Sequence, residues 1–337
     1  MKSKPELLAP AGDLEKLRTA IVYGADAVYL RGDAFSLWTG AGNFGEAELV
    51  EGLYYAHSAG VRIYVAVDFY ASNADLGTLE EYIHWLDALG IDAVIVSAPD
   101  IFSLAQKIAP RLDIHFNAAR EAGAAFWPPQ AGADRVILPR GLALGEIAAI
   151  HRQSRLNLGV LIHGSPVLDW EDDTQGACFP NPRELSLLPR LGQLAQAGIS
   201  SFMIAGRMRS VHYLATVLNA YRVNLDAWWQ QGDEHRISEA WLQELARGGH
   251  RSATFVAVVK GSEPGWLYLE QRGLFGRGET LEAVVPGQLP YQFTVNKLYD
   301  PDGNLLEQAL DHRQELKIPW PGQPLPQFTV LRRVDKE

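Results

Sequence analysis

Cysteine is almost missing from this chain: Cys178 is the only one in 337 residues. One thiol closes no intrachain disulfide, so the framework of a small secreted scaffold is excluded and nothing argues for export. Long apolar runs are lacking too, since none approaches the roughly 18 residues that a membrane span needs. The opening MKSKPELLAP carries no apolar stretch of signal-peptide type. The expectation is a cytoplasmic protein with no membrane partner. Basic charge is also short, with 30 Lys/Arg against 40 Asp/Glu and a net charge of −10. A non-specific nucleic-acid binder shows a basic patch or stripe, so any RNA contact must be local or shared with a partner.

What is present in abundance is one repeated turn. Tyr23-Gly24-Ala25-Asp26-Ala27-Val28, Leu89-Gly90-Ile91-Asp92-Ala93-Val94, Ala131-Gly132-Ala133-Asp134-Arg135-Val136 and Ala197-Gly198-Ile199-Ser200-Ser201-Phe202 are near copies. Each Gly stands where a helix ends in the left-handed conformation that a residue without Cβ adopts most easily. A short apolar run of strand type follows each one. Four further runs, Glu6 to Pro10, Val61 to Val67, Asp113 to Asn117 and Leu158 to Gly164, lie between them. Eight strands separated mostly by helical segments predict a (β/α)8 barrel.

The grammar changes near Gly248-Gly249. Before it, Val217 to Trp229 and Ile237 to Ala246 carry apolar residues at helical period. After it come short strand-like runs, Ala253–Val259, Gly265–Glu270, Thr280–Val285, Tyr291–Leu298 and Gln327–Leu331, with turns such as Asp300-Pro301-Asp302-Gly303-Asn304 between them. The division expected is a barrel over residues 1–248 and a small all-β barrel domain over 249–337. Residues 1–249 hold 20 Lys/Arg against 29 Asp/Glu, whereas 250–337 hold 10 against 11. The first part is acidic and the second near neutral, and truncation near Gly248 is expected to leave a soluble barrel.

Barrels carry their chemistry at the C-terminal ends of their strands. Those ends bring Arg31, Asn117, Arg140, His163 and the run Gly206-Arg207-Met208-Arg209-Ser210 into the candidate site. Two guanidinium groups at a helix start, after the eighth strand, suit an anion; the plainer alternative pairs one with a carboxylate and leaves the other in water. His163 precedes the acidic loop Asp169, Glu171, Asp172 and Asp173, but their spacing matches no compact metal motif, so a solvated loop is the reading and no metal is expected. His163 itself is either a site residue or a buried histidine bonded to a neighbouring strand. Cys178 is a nucleophile beside His163 or an inert thiol.

Several stretches resemble the collagenase-like peptidase family U-32. They begin with Glu6-Leu7-Leu8-Ala9-Pro10-Ala11-Gly12-Asp13-Leu14-Glu15-Lys16-Leu17 and Tyr23 to Leu30, then Phe35-Ser36-Leu37 and Ala41-Gly42-Asn43-Phe44. Val160-Leu161-Ile162-His163-Gly164, Gly176-Ala177-Cys178, Gly206 to Ser210 and Ala220-Tyr221-Arg222 continue the match, as do Ala253 to Val256 and Lys317-Ile318-Pro319 in the tail. The resemblance implies more than the family's name. Bacterial members are similar to RNA hydroxylases that modify uridine in tRNA or cytidine in rRNA, drawing on prephenate, and others act in pairs in quinone hydroxylation. Those members hold an iron–sulfur cluster on four cysteines.

Here the pattern departs. Ser165-Pro166-Val167 stands where the family has its first cysteine, the stretch for the second is shortened to Leu168–Thr174, the third survives as Cys178, and the fourth is replaced within Phe179–Arg183. Trp38 takes the place of an Arg, Gly141 and Ala205 that of Glu, and Ala118 or Ala119 that of Gln. One thiolate cannot hold the cluster, so no cofactor is expected. Three readings follow. In the first, an altered enzyme acts on tRNA or a small anionic metabolite, with Arg140, Arg207 and Arg209 binding the anion, Ser210, Arg31 and Asn117 beside them, and His163 moving a proton. The second is a non-catalytic paralogue partnering a cluster-bearing relative. The third is a peptidase using Cys178 and His163.

Overall fold

The computed structural model describes residues 3–33, 42–67, 76–118, 132–164, 185–249 and 253–334. Its strands in the first part are β1 (Glu6–Pro10), β2 (Ala27–Leu30), β3 (Arg62–Ala66), β4 (Ala93–Val96), β5 (Asp113–Asn117), β6 (Arg135–Ile137), β7 (Asn157–Gly164), β8 (Leu185–Ser186) and β9 (Ile199–Ile204). Hydrogen-bonded neighbours run β6-β5-β4-β3-β2-β1-β9-β7, all parallel, and pairing of β6 with β7 closes the ring. The expected (β/α)8 barrel is what the chain forms. The short β8 adds antiparallel to the end of β7. Helices α1 (Leu14–Val22), α2 (Glu46–Ser58), α3 (Leu76–Leu89), α4 (Pro99–Ile108), α5 (Leu144–Ser154) and α6 (Leu191–Gln196) lie between strands in the sequence.

The repeated turn does two jobs. Its glycines, Gly24, Gly90, Gly132 and Gly198, all have φ between 84° and 108°, the left-handed region that a β-carbon penalises. Its aspartates pin strands together. Asp26 Oδ2 accepts from Leu7 N at 2.8 Å, Asp92 Oδ2 from Ile63 N at 2.7 Å, and Asp134 Oδ2 from Ile114 N at 2.8 Å. Each carboxylate thus fixes the start of one strand to the strand before it. In the fourth copy Ser200 donates its hydroxyl to Leu158 O at 3.2 Å instead.

Alternation along the strands divides the apolar side chains between two cores. Leu8, Tyr29, Tyr64, Ile95, Ile137, Leu161 and Met203 fill the barrel interior. On the outer face, Phe102 of α4 meets Phe116 of β5 edge to face at 5.8 Å.

Contacts divide the chain into two compact units. The barrel unit comprises Met1–Ile21, Ala25–Met208 and Trp228–Asp233; the second comprises Val22–Gly24, Arg209–Ala227 and Glu234–Glu337. The second therefore holds most of α7 (Val211–Gln231), all of α8 (Glu239–Gly249) and the β-rich tail. The tail strands are β10 (Ala253–Glu263), β11 (Gly265–Gln271), β12 (Phe275–Gly276), β13 (Thr280–Val284), β14 (Tyr291–Thr294), β15 (Leu298–Tyr299), β16 (Leu305–Leu306), β17 (Gln308–Ala309), β18 (Glu315–Trp320) and β19 (Val330–Val334). Eight of them form a curled antiparallel sheet in the order β14-β13-β19-β10-β11-β18-β15-β16.

Strand β18 has no counterpart among the runs expected from sequence, because Pro319 interrupts its text and a proline ordinarily demotes a strand. It nevertheless pairs along β11, Pro319 opposite Trp266. Val256, Leu267, Leu281, Leu316, Ile318 and Leu331 are buried in the core of this sheet. Polar side chains from elsewhere in the same unit finish its backbone bonding. Tyr23 donates its hydroxyl to Val284 O at 2.5 Å and accepts from Val330 N at 3.1 Å. The Asn219 amide donates to Val285 O and Gln288 O and accepts from Gly287 N.

Candidate functional site

Buried polar side chains gather at both ends of the barrel, with different chemistry. At the N-terminal end, inward-facing Glu6 is 4% exposed. Its carboxylate accepts from Arg135 Nη1 at 2.6 Å, Tyr64 Oη at 2.7 Å, Ser201 Oγ at 2.9 Å and Arg62. The Tyr64 ring meets His115 edge to face at 4.6 Å. Burial and then the Glu6 carboxylate push the Tyr64 hydroxyl above its usual range. Burial and then the charges of Arg135 and Arg62 hold His115 well below its ordinary 6.5. His115 is therefore neutral at physiological pH. This end is a knot of ion pairs that braces strands β1, β3, β5, β6 and β9. None of these residues was among those read from sequence as functional, although polar letters at the first inward positions of several strands were the available signal.

The C-terminal end carries the residues that were. Arg31, Asn117, His163 and Arg207 are all buried there. Arg31 shares the inward alternation of Ala27 and Tyr29, and Asn117 that of His115. His163 is the next-to-last residue of β7, beyond a register shift against β9 between Leu161 and His163. Arg207 follows β9 by three residues.

Three of the four are linked by a chain of short contacts. Phe44 N donates to Arg31 O at 2.8 Å. The neighbouring Asn43 Oδ1 accepts from Arg207 Nη1 at 2.8 Å, and Gly42 O accepts from the same nitrogen. Ala205 N, two residues before Arg207, donates to His163 O at 2.9 Å. The 42–44 segment therefore connects Arg31 with Arg207, and the ends of β7 and β9 connect Arg207 with His163. Asn117 stands at the same end of the barrel on β5, two strands from β7.

The backbone approaches closely here. A β-carbon on Gly12 would lie 2.8 Å from Arg207 O, and one on Gly164 would lie 2.7 Å from Ala205 O; neither position has room for a side chain. Lys16 Nζ donates to Arg207 O at 3.2 Å and pairs with Asp13. Asn43 and Lys16 are thus parts of the mouth that were not singled out from sequence, because their importance depends on where the 206–207 backbone lies.

The other expected site residues are not part of this linked set. Arg140 is exposed in the turn after β6. Ser210 caps α7, its hydroxyl accepting from Tyr213 N at 3.1 Å. The Arg209 guanidinium lies over the Tyr213 ring, 5.2 Å from its centre. Cys178 and the acidic loop Asp169–Asp173 lie outside the described residues. A four-thiolate iron–sulfur cluster does not fit this donor set, since the chain has one cysteine. Among the described residues, no group of three or more His, Cys, Asp or Glu side chains is placed to hold a metal ion, and no helix is long and apolar enough to cross a membrane.

Closed parallel barrel and polar mouth together define the class, a (β/α)8-barrel protein with buried basic and polar groups at the end where barrels carry their chemistry. The chain belongs to peptidase family U32. The family's model matches residues 12–171 and 167–263, and the model of its C-terminal domain matches 251–332. The two main matches overlap at 167–171.

Several curated relatives carry the names of RNA-modifying proteins. The tRNA hydroxylation protein P1 of Bacillus subtilis (strain 168) is 28% identical over 389 aligned residues, covering 94% of this chain and 92% of that protein. The aligned length exceeds the 337 residues of this chain, so that relative has residues with no counterpart here. The tRNA hydroxylation protein P of Haemophilus influenzae is 36% identical over 52% of this chain and 42% of its own length. The 23S rRNA 5-hydroxycytidine C2501 synthase of Escherichia coli (strain K12) is 27% identical over 76% of this chain and 46% of its own.

Proposed function

We propose that this cytoplasmic member of peptidase family U32 supports RNA hydroxylation, of tRNA above all, by holding a small anionic substrate at the C-terminal mouth of its barrel without an iron–sulfur cluster of its own. The observation that carries this reading is the linked set Arg31, Arg207 and His163. Two buried guanidinium groups favour an anion, and a buried imidazole can give or take a proton. The names of the relatives supply the substrate class. Asn117 would orient the ligand by its amide, and exposed Arg140 would meet RNA phosphate. Within the second unit, Arg209 and Ser210 at the start of α7 would contact an anionic group of their own, Ser210 keeping a hydroxyl proton to donate while its oxygen caps the helix.

Mass spectrometry of RNA nucleosides from the source cell, with and without the gene, tests this. Loss of a hydroxylated pyrimidine is expected on deletion. Restoration by the wild-type gene, but not by Arg31→Ala or Arg207→Ala, would place the role at the mouth. An unchanged profile would overturn it.

A second reading has its own support. A lone Cys178, too few thiolates for a four-cysteine cluster, favours a non-catalytic chain that partners a cluster-bearing paralogue. Co-purification of such a relative, with modification lost when either gene is deleted, would favour it. A Cys178–His163 peptidase is the third reading, and it fails if peptidase activity persists unchanged in Cys178→Ala.

A further inference from the structure

Among the described residues of the second unit, Arg332 is the most completely buried charge, at 0% exposure. Guanidinium has five N–H donors in a rigid fork, and here all five are used. Nη1 and Nη2 donate to the two oxygens of Glu244 at 2.8 and 2.7 Å. Nε and Nη2 donate to Glu282 Oε2 at 3.0 and 2.8 Å. The remaining Nη1 proton points to His212 Nε2 at 3.3 Å. A guanidinium can only donate, so His212 must accept at Nε2 and carry its proton on Nδ1. Burial and then Arg332 lower the His212 pKa to about 4, which agrees with a neutral acceptor. The other side of the imidazole stacks on Phe255 with ring centres 6.2 Å apart and planes 19° apart.

The position of the gripped residue is the informative part. His212 is the second residue of α7. It stands between Ser210, whose hydroxyl caps the helix on Tyr213 N, and Tyr213, whose ring lies under Arg209. Packing alone would be served by any apolar side chain at 212. A directional bond from a guanidinium that is itself held by two carboxylates defines where that first turn lies.

We propose that Arg332 is a positioning residue for Arg209 and Ser210. Through His212 it holds the first turn of α7, so that these two side chains are presented in one arrangement. The proposal rests on the reading above that they contact an anion, and it assigns the tail sheet a part in building that contact.

Hydrogen exchange of the full-length chain tests it, read on peptides spanning 207–216. His212→Phe keeps the ring stack and removes the acceptor. It is expected to speed exchange in this segment about tenfold, while peptides from β10 and β13 keep wild-type protection. His212→Gln, which restores an acceptor, should recover most of that protection. If His212→Phe does not fold, the chain carrying Arg332→Met, Glu244→Gln and Glu282→Gln, which leaves no unpaired buried charge, takes the same measurement. Unchanged exchange in a folded variant overturns the proposal. So does a loosened segment in cells whose nucleoside profile stays wild type while Arg209→Ala abolishes the modification. A profile indifferent to deletion of the gene removes the RNA reading alone, and the exchange result still decides whether Arg332 holds the turn.

Discussion

Glu6 in the barrel unit and Arg332 in the second unit are buried charges of opposite sign, each with two partners of the other sign. Glu6 faces Arg135 and Arg62, with Tyr64 and Ser201 adding hydroxyl donors. Arg332 faces Glu244 and Glu282. They differ in access to water. The Arg62 side chain is 49% exposed, whereas Glu244 and Glu282 are 4% and 10% exposed. One cluster is thus open on one side and the other is sealed. A sealed charge has no solvent to turn to when its partner is lost, so the same substitution costs more there.

The largest effect that would break this comparison comes from truncation. Ending the chain after Gly248 removes Arg332 and Glu282 together with Val284, Val285, Gln288 and Val330, the partners of Tyr23 and Asn219. Glu244 would lose the guanidinium that both its oxygens bind. The expected product is insoluble, contrary to what the change of grammar at Gly248 suggests. A monodisperse truncated barrel in size-exclusion chromatography would mean that the helices repack without the sheet.

Single substitutions come next. Arg332→Ala is expected to destabilise by about 3–5 kcal/mol in urea unfolding. Glu6→Ala should cost toward the lower end of that range, because Arg62 can turn into solvent while only Arg135 stays buried and uncompensated. A Glu6 variant that proves the costlier of the two would reverse the comparison.

Acid sharpens it. His115 beside the first cluster and His212 beside the second both have pKa values lowered by burial. Each is neutral in the folded chain, so as pH falls the unfolded chain takes up the proton first. Stability is therefore fully present above about pH 6.5 and is lost as pH falls below it, for His212 down to about 4. The slope is about 1.4 kcal/mol per pH unit for each histidine. His212→Phe should remove one share of this slope in urea titrations between pH 7 and 5, and an unchanged slope would show that His212 does not contribute.

Smaller still is the effect of a single turn carboxylate. Asp26→Ala leaves Leu7 N without its acceptor and is expected to cost about 1–2 kcal/mol in the same assay. Arg140→Ala, at an exposed turn, should change stability by no more than about 0.5 kcal/mol while lowering RNA modification. Loss of modification without loss of stability would separate the functional end of the barrel from its braced end.

The barrel was legible because its signals are local. A glycine at each helix end and an apolar run after it need only neighbouring residues, and all four copies take the expected conformation. The mouth was legible in outline, since Arg31, Asn117, His163 and Arg207 follow from knowing where strands end. The purpose of the aspartates in the repeat was not, because their acceptor role needs the adjoining strand in place. Strand β18 escaped for a different reason: Pro319 argues against a strand until β11 pairs with it.

The sequence by itself determined the order of strands and helices, the left-handed turns and the impossibility of a four-thiolate site in a chain with one cysteine. It could not say which charges meet. Glu6 and Arg135 stand 129 residues apart, and Arg332 and His212 stand 120 apart. Such pairs exist only once the barrel has closed and the sheet has curled, because a buried charge takes the partner that the backbone brings within reach, and no local pattern records that distance.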